Sequence, residues 1–267
     1  MAFATVPGAT LEYEVTGDGP DLVWCHGLGG NLDDSRAAAQ LVAAAGYRVL
    51  WYSCRGAGRS SAVRNAEDCR YARIADDLEA LLDVVGFERP LLAGGSHGAN
   101  TILRHEQRHP GRAAALLLVA PGANALGRIG GPRWWLVLGA YQRARRRGMP
   151  GLVKLITGKD VSLGDDPMVA AALTHDEASL AASLRHIPDQ GAVDPSALGS
   201  FAVPTHVAAW DKDPLIHPIA LARRIAALIP GATFEEIERV TTMTHEETAE
   251  AAAALISRWA AGVVAGG

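Results

Sequence analysis

Short apolar runs alternate with stretches of helical periodicity along most of this chain, and that alternation restricts its fold more than any other feature. Strand-like runs are expected at residues 10–16, 21–25, 47–52, 90–93, 114–119, 204–209 and 233–237. Several are unbroken Leu, Val and Ala, as strands covered on both faces must be. Between them, residues 67–85 set Ile74, Leu78, Leu81, Leu82 and Val85 at helical spacing. Asp76, Asp77, Glu79 and Asp83 turn outward on this reading, and Gly86 follows as a C-cap. The pattern predicts an α/β fold with a mostly parallel sheet and helices on both faces. At 267 residues and 49% hydrophobic content, the chain can bury one large core of this kind.

The rhythm breaks once. Residues 124–200 carry no strand signal and read instead as helical pieces separated by Gly and Pro, with strand signals resuming at Pro204. The expected organisation is a core of residues 1–123 and 201–267, with residues 124–200 inserted as a helical cap over one end of the sheet.

Within this frame the stretch LLAGGSHGAN at 91–100 acquires meaning. Gly94, Gly95, Ser96, His97 and Gly98 spell GxSxG between an apolar strand and a helical run. A turn that tight strains the serine backbone and tolerates only small residues two positions to either side. Ser96 then stands at a helix N-terminus, where free backbone N–H groups stabilise developing negative charge. A serine hydroxyl needs a base, and the base an orienting carboxylate. The loop after the strand at 204–209 offers Asp211 and Asp213, and His245 lies in a loop between the last strand and a C-terminal helix over residues 247–260. Ser, Asp, His is the chain order for hydrolases built on this turn. A second oxyanion donor is expected from HGLGG at 26–30, which makes the backbone N–H groups of Leu28 and His97 the pair, with the His26 ring anchoring its loop.

Other chemistries find less support. A net charge of −4 gives no electrostatic case for nucleic acid. Cys25, Cys54 and Cys69 follow no metal-ligand or CxxC spacing and fit free thiols in a reducing compartment, so a cytoplasmic location is expected. The first residues lack a signal-peptide pattern, and the most apolar stretch, 113–126, is too short and interrupted to span a bilayer. No dinucleotide or phosphate-loop fingerprint is present, so no cofactor is expected. Asp211, Asp213 and His217 form a DxDxxxH pattern too loose for a metal site, and His217-Pro218 reads as a helix entry. His105, His109, His175 and His186 fall in polar helical stretches and are expected to be solvated.

Together the residues HGLGG at 26–30, RGAGRS at 55–60, ADDLEALLDVVG at 75–86, GGSHG at 94–98, the DPLIHP loop from 213 and His245 resemble the α/β-hydrolase superfamily, in its form with a helical cap. The resemblance implies an eight-stranded, mostly parallel sheet, a Ser96/His245/Asp213 triad and an active site between sheet and cap. The chain departs from the family pattern at Ser53, where an Asp is usual, at Thr244, where a Gly precedes the histidine, and at Trp210, where a Gly is common. The GGSHG turn is only weakly similar to that of proline iminopeptidases.

The expected activity is hydrolysis of a small or medium carboxylic ester or lactone through an acyl-enzyme, failing below about pH 6 as the base protonates. C–C bond hydrolysis, perhydrolase or lyase chemistry, iminopeptidase-like amide hydrolysis, or a non-catalytic receptor are the alternatives on the same scaffold. Trp134, Trp135 and Tyr141 in the cap are the expected substrate contacts, favouring an apolar or aromatic small molecule. The arginines at 143 and 145–147 read as a solvated helix end.

Overall fold

A computed structural model of the chain describes residues 1–127, 132–187, 190–191, 193–210, 216–237 and 246–266. Eight strands form one sheet: β1 (Ala2–Val6), β2 (Ala9–Thr16), β3 (Asp21–Cys25), β4 (Arg48–Tyr52), β5 (Leu91–Gly95), β6 (Ala115–Val119), β7 (Thr205–Ala209) and β8 (Thr233–Glu236). Their spatial order is β1-β2-β4-β3-β5-β6-β7-β8. The pairs β1/β2 and β2/β4 are antiparallel, and every pair from β4/β3 to β7/β8 is parallel. The expected α/β class and sheet are therefore present. β1 escapes periodicity because it is a five-residue edge strand in which only Ala4 and Val6 are buried while the apolar Ala2 and Phe3 are exposed.

Side chains alternate across the pleat, so each of the strands β3 to β7 feeds two cores. On β6, Leu116 and Leu118 join one cluster with Leu78, Leu81 and Leu82 of α2 (Tyr71–Val85), Ile102 and Leu103 of α3 (His97–Arg108), and Ile225 of α8 (Ile219–Leu228). Ala115, Leu117 and Val119 join the opposite cluster with Leu32 and Ala39 of α1 (Leu32–Ala44) and Ile256 of α9 (Glu246–Gly266). Burial of this kind stabilises by roughly 25 cal/mol per Å² of apolar surface, and it explains why β6, buried along its whole length, carries no polar residue.

The helix expected over 67–85 is divided. Residues 66–69 form a 3₁₀ turn capped by Asn65, Arg70 is extended, and α2 begins at Tyr71. Asp77 is not outward: it is buried and takes a two-pronged bond from Arg55 at 2.8 and 3.0 Å. That pair fastens the RGAGRS loop to α2. Ser53, at the family's usual Asp position, instead donates to Glu12 at 2.6 Å and accepts from the Leu32 N–H at 2.9 Å, tying the same loop to β2 and α1.

Among the described residues, four α-helices lie between β6 and β7, namely α4 (Pro132–Arg145), α5 (Gly148–Thr157), α6 (Pro167–Leu173) and α7 (Glu177–His186), followed by a 3₁₀ turn at Pro195–Ser200. Tyr141, Ala144, Leu152, Leu180 and Leu184 give them a small core of their own, into which Leu28 of the sheet region packs. Polar ties hold the group down: Asn31 to Thr174 at 2.9 Å, the Val63 N–H to Ser179 at 3.0 Å, and the Tyr71 N–H to the Gln190 carbonyl at 2.8 Å. Two histidines expected in solvent are buried: His105 reaches Glu79 at 2.8 Å, and His175 bonds the Ala171 carbonyl at 3.1 Å. Polar neighbours in sequence hid them because each faces inward on its helix or turn. The arginines at 143 and 145–147 are exposed, and no helix among the described residues is long and apolar enough to cross a membrane.

Candidate active site

Ser96 sits between β5 and α3 with φ 52° and ψ −109°, a backbone conformation that costs a non-glycine residue of order 1–3 kcal/mol. Its surroundings impose the strain. The Ser96 N–H bonds the Val119 carbonyl at 2.9 Å, and its own carbonyl accepts from Asn100 at 3.1 Å. A Cβ at Gly98 would lie 2.0 Å from the Cys25 carbonyl oxygen, and one at Gly94 would lie 2.9 Å from the backbone of Gly98. Both positions must be glycine for β5, α3 and β3 to meet this closely, and the meeting forces Ser96 out from the sheet.

The HGLGG loop passes beside this turn, with Gly27 close enough that a Cβ there would be 3.7 Å from that of Ser96. His26 anchors the loop: its Nε2 accepts from the Cys54 N–H at 3.0 Å, which leaves Nδ1 to donate to the Gly27 carbonyl at 2.7 Å. Burial pushes the His26 pKa down. Leu28 and His97 both border the cavity in front of Ser96. The His97 ring is buried, lies 4.9 Å from the Tyr71 ring and has its pKa lowered to about 3 by desolvation, so it stays neutral across the working range. The thiols of Cys25 and Cys54 are pushed up to about 12 by burial and offer no competing nucleophile.

A histidine does reach Ser96. His217 Nε2 is 2.8 Å from Ser96 Oγ. The loop that carries it leaves β7 and is tied back by the Ala123 N–H to the Ile216 carbonyl at 2.8 Å, and the Trp210 ring lies 6.0 Å from the imidazole. Asp211, Asp213, Thr244 and His245 lie outside the described residues. His217 is the site residue that sequence reasoning passed over. Its signal was present, four residues after Asp213, but a histidine before proline also suits a helix entry.

The cavity in front of Ser96 has a volume of about 990 Å³. Leu28, Leu136, Val137, Tyr141, Ile156, Leu184 and Ile187 supply apolar wall from the loop and the four helices, and Trp24, Trp210, Leu255 and Ile256 from the sheet side. Of the expected contacts, Tyr141 is buried and lines it. Trp135 is 71% exposed and is not among the lining residues, and the Trp134 side chain lies outside the described residues. One end is polar. The Gly122 N–H donates to Asn100 Oδ1 at 3.1 Å, Asn100 Nδ2 to Asn124 Oδ1 at 2.8 Å, and Asn124 Nδ2 to Gln190 Oε1 at 3.1 Å. The starting backbone donor fixes the direction of this amide chain, so it ends on Gln190 Nε2, a buried donor with no partner among the described residues.

The sequence matches the profile of the alpha/beta hydrolase fold over residues 20–190. The chain belongs to the α/β-hydrolase fold family. Among curated proteins, this α/β hydrolase is 30% identical to the 2-hydroxy-6-oxononadienedioate/2-hydroxy-6-oxononatrienedioate hydrolase of Cupriavidus pinatubonensis, over 93% of its own length and 91% of the relative's. Among solved structures it superposes on a carboxylesterase of Nitrososphaera gargenis with a TM-score of 0.84, at 17% identity and full coverage of both chains. The enol-lactonase of Burkholderia xenovorans LB400 superposes with a TM-score of 0.76 at 23% identity, covering 99% of this chain and all of the other. These structural likenesses speak for the fold. Within the family pattern, Trp210 is a departure with a visible consequence, since its ring occupies cavity wall beside His217.

Proposed function

We propose that this α/β hydrolase is a serine hydrolase that cleaves a carboxylic ester or lactone through an acyl-enzyme on Ser96. The observation that carries the reading is a serine held at positive φ with its hydroxyl 2.8 Å from an imidazole and facing a cavity with largely apolar walls. Ser96 attacks the carbonyl carbon, and the Leu28 and His97 N–H groups receive the oxyanion, a role worth about 3–4 kcal/mol per donor. Asp213 and His245 complete the triad by their place in the chain, the carboxylate after β7 orienting the imidazole that follows β8. Residues 124–200 act as the cap, and its lining residues, Tyr141 foremost, hold an apolar acyl group.

A second reading is C–C bond hydrolysis, favoured by the named activity of the 30% identical relative. Its substrate is a dioate. Among the described residues that line the cavity, Lys159 is the one lysine or arginine, and Asp166 is already its ion-pair partner. Asp34, whose carboxyl burial raises to about 6, adds an acidic group to the same lining. Burying a carboxylate without a cation is costly, so an uncharged ester or lactone suits these walls better.

Labelling with a fluorophosphonate, followed by turnover of nitrophenyl esters of increasing chain length, lactones and a 2-hydroxy-6-oxodienoate, tests both. Label on Ser96 and ester or lactone turnover are expected, with Ser96→Ala losing on the order of 10⁶-fold in kcat. Ester turnover surviving in Ser96→Ala would sink the proposal, and turnover of the dienoate alone would move it to C–C chemistry.

A further inference from the structure

We infer that His217 is a second catalytic histidine of this site, a proton acceptor for Ser96 in addition to the His245 that chain order assigns. The inference rests on Ser96 being the nucleophile and goes beyond it in saying where the hydroxyl proton goes.

The 2.8 Å between His217 Nε2 and Ser96 Oγ is a hydrogen-bond distance, and proton transfer to a base needs that contact before any matching of pKa. The placement is built into the fold. β7 lies beside β6 and β6 beside β5, so the loop leaving β7 emerges near the turn that leaves β5. The Ala123–Ile216 backbone bond pins that loop one residue before His217. Pro218 then starts α8 one residue after it, and the Trp210 ring stands against the imidazole. A histidine held on both sides in this way keeps its ring where the hydroxyl is. The neighbouring histidines do not compete: both nitrogens of His26 are engaged in holding its loop, and the His97 ring faces Tyr71.

In acylation, the bond from Oγ to the carbonyl carbon forms while the carbonyl π pair moves onto its oxygen and the hydroxyl proton passes to His217 Nε2. Collapse of that tetrahedral species breaks the bond to the leaving oxygen, which takes the proton from the same nitrogen. In deacylation a water molecule gives Nε2 a proton as it attacks the acyl carbon, and Oγ recovers that proton as it leaves. With two imidazoles able to serve one hydroxyl, removal of either leaves a slower route open.

The test is the rate of fluorophosphonate labelling, and of the nitrophenyl acetate burst, in wild type, Ser96→Ala, His217→Ala, His217→Gln, His245→Ala and the double variant His217→Ala/His245→Ala. General-base assistance contributes roughly 10²–10⁴-fold. His217→Ala is expected to slow labelling by about tenfold or more, on the low side of that range because His245 remains. His217→Gln, which can hold the hydroxyl but not take its proton, should be equally slow, and His245→Ala should label about tenfold or more faster than the double variant. A smaller loss in His217→Ala, rescue by His217→Gln, or equal rates in His245→Ala and the double variant overturns the inference. Circular dichroism of each variant separates slow chemistry from misfolding, and the glutamine variant, closest in volume, carries the test if the alanine variant does not fold. No label on wild-type Ser96, or undiminished label in Ser96→Ala, overturns the serine-hydrolase reading itself.

Discussion

The cavity has two walls made by different physics. The sheet-side wall presents Ser96 on a turn fixed by backbone contact, where Gly98 meets the Cys25 carbonyl with no room for a methyl group. The opposite wall, α4 to α7, rests on a small core around Tyr141, Leu152 and Leu184 and on scattered side-chain bonds to the rest of the chain. A reacting atom needs positioning to a fraction of an ångström, which close-packed backbone supplies. Substrate selection needs a surface that can vary without disturbing that packing, and a helical group with its own minor core can.

Gly98→Ala attacks the first wall at its tightest point. It is expected to destabilise by about 3 kcal/mol or more, since the added carbon meets buried backbone, and a variant that melts within a degree or two of wild type would mean that the turn is not sterically set. On the second wall, Tyr141→Ala should cost about 3 kcal/mol and raise KM, because the ring is buried and lines the cavity. Trp135→Ala on the same helix should change stability by about 0.5 kcal/mol or less and leave KM alone, as its ring is exposed. Equal effects in these two variants, measured by denaturant unfolding and steady-state kinetics, would erase the distinction between lining and solvent faces of α4.

The second wall also carries a pH dependence. Burial lowers the His175 pKa from an ordinary 6.5 to about 4, so the unfolded chain takes up a proton there before the folded one does. The stability this site allows is complete above pH 6.5 and is lost as pH falls toward 4. At pH 4.5 the loss is about 2–3 kcal/mol, and His175→Gln should remove that share of the acid sensitivity while His97 and His105 keep theirs. Parallel stability curves for wild type and His175→Gln between pH 7 and 4.5 would contradict it.

Much of the sheet was legible because a strand buried on both faces must be apolar throughout, as residues 115–119 are. The turn at Ser96 was legible because its glycines are demanded by local sterics. Asp77 and His175 were misjudged for the opposite reason. A charged or polar side chain beside polar neighbours looks solvated until the partner arrives from elsewhere: Arg55 comes from a loop 22 positions away, and His175 is enclosed where Ala171 and Ala172 of the helical insertion meet His26 and Gly30. The amide chain from Asn100 through Asn124 to Gln190 spans 90 positions, and no spacing rule announces it.

The sequence alone determined the layered α/β architecture and the strained serine, because strand periodicity and glycine sterics act between residues close in the chain. Tertiary structure alone decided which imidazole touches that serine. His217 is 121 positions from Ser96, and only the β5-β6-β7 strand order brings the two loops together. Hydrogen-bond partners are chosen by position in space, and in a parallel sheet that position is set by the order of strands, which periodicity does not encode.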